Sequence, residues 1–424
     1  MRPPWGRPRA DGDDLGTEDA PRRSVGVVVT HFEQPAELAR TLHALTRQTL
    51  PPDEVVVSDD GSAELPAVPA GVRVVTQEDR GFRAAAARNH GVAQLTTDVV
   101  VLLDADTTPE PGFLEALTRL PRLQPDVLVV GRRRHAALAG LPPEVPVEEA
   151  GPAHELPEPA WLRSAYAASR DLRDADDLSS RFVISAVLAC SRWWFEELGG
   201  FDAGFRSYGG EDWELAHRSR LAGGLLAHAP DAVAWHDGPD AGERPRGVKT
   251  AETAAIASRV GVPGLAPRGL LGLDGRPTPA DRLLAPAASL DDRALLLVCD
   301  AALRADPGAR LLLDARQAAV LAGEPRVLAH TGDQLDAAVA SPARLLVELH
   351  RPWQLDDAGW RALLGGGSPG VVGDAAGPIA TTHELRLERR ARRWGTTPAP
   401  VPPGPAPGRP LPDDLTLEAW FGGW

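Results

Sequence analysis

The chain has 424 residues, 45 Lys plus Arg against 59 Asp plus Glu, a formal net charge of −14 and 43% hydrophobic residues. That length and apolar content allow two domains with buried cores and exclude wholesale disorder, and the negative balance argues against a nucleic-acid polymer or an anionic membrane as partner, since both need clustered cations. The only two cysteines, Cys190 and Cys299, exclude a disulfide framework and a cysteine zinc site, and the apolar runs are too short for a membrane segment or a signal core, so a soluble, cytoplasmic protein is expected.

Residues 1–23 read as a mobile tail. A strand is expected at Val25–Thr30, then a helix from Pro35 with Leu38, Leu42 and Leu45 on one face. Glu54–Ser58 and Val72–Val75 read as strands, Phe82–Leu95 as an Ala-rich helix, Asp98–Leu103 as a fourth strand and Glu110–Leu120 as a helix beside Pro109 and Pro111. This alternation predicts an α/β fold with a mostly parallel sheet and flanking helices, which binds ligands at the carboxyl ends of its strands. After a Pro/Glu-rich stretch at 141–159, structure resumes at Trp161–Ser180, with a strand at Phe182–Cys190, a helix at Glu211–Ala222 and a short strand leading to Trp235. A polar linker at 238–246 precedes further α/β elements at Ala294–Cys299, Leu311–Leu313 and Leu345–Leu349. The expected organisation is a tail at 1–23, a principal domain at 24–246, a smaller α/β accessory domain at 247–395 and a Pro/Gly-rich tail at 396–424.

Candidate chemistry sits just after the strands. Asp104-Ala105-Asp106 follows the run Val99–Leu103, and two carboxylates so placed can share a hard divalent cation that also holds a diphosphate. The same tripeptide recurs at Asp174-Ala175-Asp176, but in a polar run with no strand before it, where a solvated surface is the expected reading. Asp59-Asp60-Gly61-Ser62 also ends a strand; either carboxylate can accept a base imide N–H or cap a turn. In Gly209-Gly210-Glu211-Asp212 the acids suit a helix start, while the glycine pair beside Tyr208 lets backbone approach a ligand and leaves an acid to act as general base. His236, after another strand, can complete a metal site begun by Asp106. Arg80-Gly81-Phe82-Arg83 with Arg88-Asn89 is a cationic patch suited to phosphate oxygens, whereas Arg132-Arg133-Arg134 is expected on a solvated face.

Together, Val27–Phe32, Val57–Ser62, Ala87–Gly91 and Leu103–Asp106 resemble, in order and spacing, the family 2 inverting glycosyltransferases of GT-A fold. Gly199–Asp202, Tyr208–Asp212 and His236 are similar to the galactosyltransferase-like half shared with chondroitin-polymerase and polypeptide N-acetylgalactosaminyltransferase relatives. The resemblance spans about Ser24 to Asp237. It implies that Asp59 or Asp60 reads the uracil of a UDP-sugar, that Thr30 and Phe32 line the nucleotide pocket with Arg83, Arg88 and Asn89 nearby, and that Asp104, beside Ala105, meets the ribose or donor sugar. It further implies manganese or magnesium on Asp106 and His236, Asp212 as general base, and Glu211 with Gly209 and Gly210 against donor or acceptor. The donor is then a nucleotide-sugar and the acceptor a glycan, lipid, peptide or small-molecule hydroxyl. His31-Phe32 departs from the aromatic-Asn pair of many relatives. A sugar nucleotidyltransferase is a weaker reading, because Val25–Glu33 lacks a Gly-rich phosphate loop, and a non-catalytic nucleotide-sugar or carbohydrate-binding protein is the reading in which the carboxylates only cap turns.

Overall fold

The computed structural model describes residues 2–13, 18–206, 208–239, 246–262, 264–265, 270, 272–273, 276–277, 279–364, 370–398, 404–405 and 408–421. Parts of the expected tails and most of the 238–246 linker lie outside the described residues. The chain forms two compact units, Met1–Ile256 and Ala257–Trp424.

The first unit contains strands β1 (Val25–His31), β2 (Glu54–Asp59), β3 (Arg73–Thr76), β4 (Val99–Asp104), β5 (Thr107–Pro109), β6 (Val127–Ala136), β7 (Glu155–Leu156), β8 (Val187–Ser191) and β9 (Leu225–Asp237). Its helices include α1 (Pro35–Leu45), α2 (Ala84–Val92), α3 (Phe113–Leu123), α4 (Val147–Ala153), α5 (Ala160–Ala168), α6 (Arg192–Glu197), α7 (Glu211–Leu221) and α8 (Arg246–Ala257), which ends at the unit boundary. The sheet order is β3-β2-β1-β4-β8-β6-β9-β5, with β7 beside β6. β1 pairs in parallel with both β2 and β4, and β2 with β3; Val27–Val29 of β1, Val56 and Val57 of β2 and Val99–Leu103 of β4 are fully buried, while the edge strand β3 is partly exposed. Beyond β4 the sheet is mixed: β8 is antiparallel to both β4 and β6, and β9 is parallel to β6. Strand order reverses at β1, which places a crevice outside the carboxyl ends of β1 and β4. Helix α2 packs tightly there: a Cβ on Gly91 would stand 2.4 Å from Val28 Cγ1.

Several boundaries differ from expectation. The Ala-rich helix begins at Ala84, because the Arg83 N–H is taken by the Asp60 carboxylate. The expected strand at Phe182–Cys190 starts only at Val187; Ser179–Phe182 is a 3₁₀ turn whose last carbonyl accepts from the Tyr166 hydroxyl, and after it the Ser185 N–H bonds to the Asp212 carboxylate. Arg132–Arg134 lie inside β6, not after it, and β9 is long, with a register shift that lets Pro230 through. In the amino-terminal segment Trp5 Nε1 donates to Pro121 O and the Arg23 guanidinium lies 3.9 Å over the Trp5 ring.

The second unit repeats the α/β pattern. Val327–Ala329, Arg310–Leu313, Arg282–Pro286 and Leu345–Leu349 form a parallel half-sheet, extended by the antiparallel Gly377–Glu384 and Gly370–Asp374 and then by Gly404–Pro405. Helix Asp292–Ala305, which contains Ala294–Cys299, buries its apolar face against it. Asp314 caps helix Ala315–Val320 in a capping box. Late in the chain Leu417–Trp420 is helical and the Trp420 indole donates to Asp300. Among the described residues no helix is long and apolar enough to cross a membrane.

Candidate active site

The crevice is a cleft of about 570 Å³ at the strand ends of the first unit. Ten of the expected residues line it: Thr30, Phe32, Asp60, Arg88, Asp104, Asp106, Gly209, Glu211, Asp212 and His236. Five others do not, and each has a structural task. Asp59 is buried and accepts from His31 Nδ1 (2.8 Å), Ser62 Oγ (2.6 Å), Thr76 Oγ1 (2.9 Å) and the Gly61 and Ser62 N–H groups. Burial opposes its charge, but these donors outweigh it and hold the carboxyl below its usual range. Asp60, one residue on, faces the cleft. Asn89 grips the Phe201 backbone through both its amide atoms at 2.9 Å. The Arg83 guanidinium turns to Glu78 O (2.7 Å) and Arg80 pairs with Glu78, so of the arginines in the expected cationic patch Arg88 lines the cleft and Arg80 and Arg83 do not. Ala105 is fully buried, and Gly210 caps α7 at φ 95° with no room for a Cβ beside Ile256.

Arg88 joins the two acidic groups of the cleft. Its guanidinium donates to Glu211 Oε1 and to Asp104 Oδ1, both at 2.9 Å, and only 5% of the side chain is exposed. Burial works against its charge, yet Asp104 and Glu211 outweigh it and keep it protonated. Replacing Arg88 by Met leaves the Glu211 carboxylate buried without a counter-charge; a loss of about 3 kcal/mol or more in folding stability is expected in chemical denaturation. A Tm and denaturation midpoint equal to wild type would show that the bridge is dispensable.

On one side of this bridge, Asp106 Oδ2 lies 3.6 Å from His236 Nε2 and accepts from Gln34 Nε2 at 3.0 Å. His236 Nδ1 is 3.3 Å from Gly238 O, which directs Nε2 to Asp106. The strand end is fixed by a buried pair, Arg40 Nη1 to Asp237 Oδ2 at 2.9 Å. Burial, and then the nearby Asp104 charge, push the Asp106 carboxyl up, with His236 opposing. Among the described residues no three His, Cys, Asp or Glu side chains form a ready cation cage. A carboxylate and an imidazole, with a second carboxylate beside them, do suit Mn²⁺ or Mg²⁺ whose other positions are filled by phosphate oxygens and water.

On the other side Asp212 opens α7. Its Oδ2 accepts from Ser185 N at 3.4 Å and its Oδ1 from its neighbour Trp213 N at 2.9 Å. Burial first, and then the Glu211 charge, push its carboxyl up to about 7, against the pull of Arg88. Among the buried polar atoms of the cleft wall, Thr30 Oγ1, Arg88 Nε and Glu211 Oε2 have no hydrogen-bond partner. Orphans of this kind in a cleft point to a polar ligand.

Sequence reasoning missed Gln34, Ser185, Ala186 and Arg133, all on the cleft wall. Alternation along a strand was the available signal for Arg133. Arg132 and Arg134, on the opposite face, pair with Glu158 and Glu155. The second Asp-Ala-Asp is surface, as expected: Asp174 pairs with Arg170, and Asp176 accepts from Ser179 Oγ.

A crevice of this kind, at the switch point of a partly parallel sheet and acidic at its strand ends, is where an open α/β sheet binds its ligand. Residues 26–145 match the sequence model of glycosyl transferase family 2, and residues 175–234 match that of the N-terminal domain of galactosyltransferase. The chain is 29% identical over 239 residues to a hyaluronan synthase of Pasteurella multocida, covering 51% of this chain and 24% of that one. It is 30% identical over 223 residues to a validoxylamine A glucosyltransferase of Streptomyces hygroscopicus subsp. limoneus, covering 47% and 48%. The chain thus spans under half the length of these relatives. A crystal structure of GalNAc-T7 with UDP, GalNAc and Mn2+ aligns over 58% of this chain and 52% of that one, at 18% identity and a TM-score of 0.40.

Proposed function

We propose that residues 24–246 of the first unit form a metal-dependent inverting glycosyltransferase that moves a sugar from a nucleoside-diphosphate sugar, a UDP-sugar in the first instance, to an acceptor hydroxyl. A cytoplasmic location belongs to the same reading. What carries it is the convergence in one cleft of Asp60, Asp104, Asp106, His236, Glu211 and Asp212 from four separate stretches of chain.

Asp60 receives the base through its imide N–H, and the Thr30 hydroxyl meets the nucleotide beside it. Asp106 and His236 hold the divalent cation, which when bound neutralises the charge gathering on the departing diphosphate. Asp104 meets the ribose or sugar, held in orientation by Arg88. Asp212 takes the proton from the acceptor hydroxyl as that oxygen attacks the anomeric carbon from the face opposite the diphosphate. A base with a pKa near 7 suits this work, because at neutral pH it is both ionised in part and basic enough to accept a proton. Glu211 offers its unpaired Oε2 to a sugar hydroxyl.

The test is a screen of UDP- and other nucleotide-sugars for hydrolysis or transfer, with and without Mn²⁺ or Mg²⁺, and with Asp212→Asn as control. Turnover of at least one donor that needs the metal and disappears in the variant is expected. Metal-bound UDP without any turnover of a donor would favour a binding protein instead.

A further inference from the structure

We propose that Tyr166 is a positioning residue for the base: its hydroxyl, fixed on the Phe182 carbonyl, holds the stretch from Val183 to Ala186 that presents the Ser185 N–H to Asp212. The inference rests on the assignment of Asp212 as base.

Tyr166, near the end of α5, is buried, and its phenol O–H donates to Phe182 O at 2.6 Å. Burial pushes this phenol far above its ordinary range, so it remains a donor at any pH the protein survives. Three residues beyond Phe182, the Ser185 N–H reaches Asp212 Oδ2 at 3.4 Å, and Ile184, Ser185 and Ala186 form part of the cleft wall. No strand pairing holds this segment, since β8 begins only at Val187. The Tyr166 hydroxyl is thus a direct tie between the segment and the body of the unit.

The ring is itself set with care. It stacks on His228 of β9 at 3.7 Å between centroids and 6° between planes. His228 Nδ1 lies 2.8 Å from Asp171 Oδ1, the His228 N–H donates to Asp171 O at 2.9 Å, and the Asp171 N–H donates to Tyr166 O at 2.8 Å. To make this closure Arg170, Asp171 and Leu172 adopt φ of 49°, 58° and 62°. Three successive non-glycine residues in the left-handed region are unfavourable at each position and persist only where the surroundings dictate them. Such a turn, away from the cleft, serves the aim of the Tyr166 ring.

The charged groups facing Asp212 are Glu211 beside it on α7, which raises its pKa, and Arg88 from α2, which lowers it and also carries Asp104 of β4. Arg133 of β6 lines the same cleft. The Ser185 N–H favours the ionised form of Asp212, so misplacing it moves the base in a defined direction.

Tyr166→Phe keeps the ring and removes only the tie. Expected are a fall in kcat of about tenfold, UDP affinity within about twofold of wild type, and a low-pH limb of kcat/KM displaced to higher pH. A variant with wild-type kcat and an unmoved limb overturns the inference, and so does one that loses UDP binding in step with kcat, which marks a general structural role. A wild-type protein inert toward every nucleotide-sugar sinks the transferase reading itself, and this inference with it.

Discussion

Replacing Asp212 by Asn is expected to lower kcat for sugar transfer by about a thousandfold while leaving metal-dependent UDP affinity within about threefold. The amide keeps the shape and one acceptor for the Trp213 N–H but cannot take a proton. In the wild type, kcat/KM for the free enzyme should rise with pH through about 7, because only the ionised carboxylate is a base. Stability responds in the opposite sense. A carboxyl raised from its unfolded value of 3.8 favours the folded state when protonated, and that contribution is lost as pH climbs from the unfolded value through about 7. Above that pH the ionised Asp212 is a burden that Asn does not carry, so the variant should melt no lower than wild type at pH 8, and higher if burial is the main cause. Transfer at the wild-type rate removes Asp212 from the base role; a large drop in Tm would make it a structural residue instead.

Chelation, or Asp106→Ala, is the second large effect expected. Asp106 is pushed up by burial and by Asp104, a repulsion that a shared divalent cation relieves. UDP should bind poorly in excess chelator and about 100-fold more tightly with Mn²⁺ or Mg²⁺, and Asp106→Ala should lose most of that gain. A thermal-shift titration with the metal alone reads the same site without any turnover: the wild type should gain Tm, and Asp106→Ala and His236→Ala should not. Equal UDP affinity with and without metal removes Asp106 and His236 from this role.

The parallel half of the sheet was legible because its strands carry the apolar runs Val27–Val29, Val55–Val57 and Val99–Leu103, nearly all of them buried. The motifs after those strands were legible for the same reason, since strand ends deliver side chains to the crevice. What was hidden depends on which way a side chain turns. Asp59 and Asp60 are adjacent and opposite, and only the fold reveals that Asp59 is consumed by His31, Ser62 and Thr76 while Asp60 faces the cleft. His31, which departs from the family pattern, spends Nδ1 on Asp59 and Nε2 on the Gln34 N–H, so it braces the loop. Three consecutive arginines read as a solvated face, yet the strand continues through them and alternation sends Arg133 to the cleft. The reverse error was made at Val183–Ala186, where apolar residues suggested a strand but the backbone is used by the site. In the second unit the elements were readable and a ligand site was not: Asp314, which follows the buried strand Arg310–Leu313, spends its carboxylate on a helix cap.

Inversion at the anomeric carbon is the most direct consequence of a base at Asp212 acting opposite a diphosphate held at Asp106 and His236. The measurement is proton NMR of the first sugar released or transferred from an α-linked nucleotide-sugar, recorded before the free sugar can mutarotate. A β-configured product at early times is the expected result; an α-configured product, formed with retention, would contradict it.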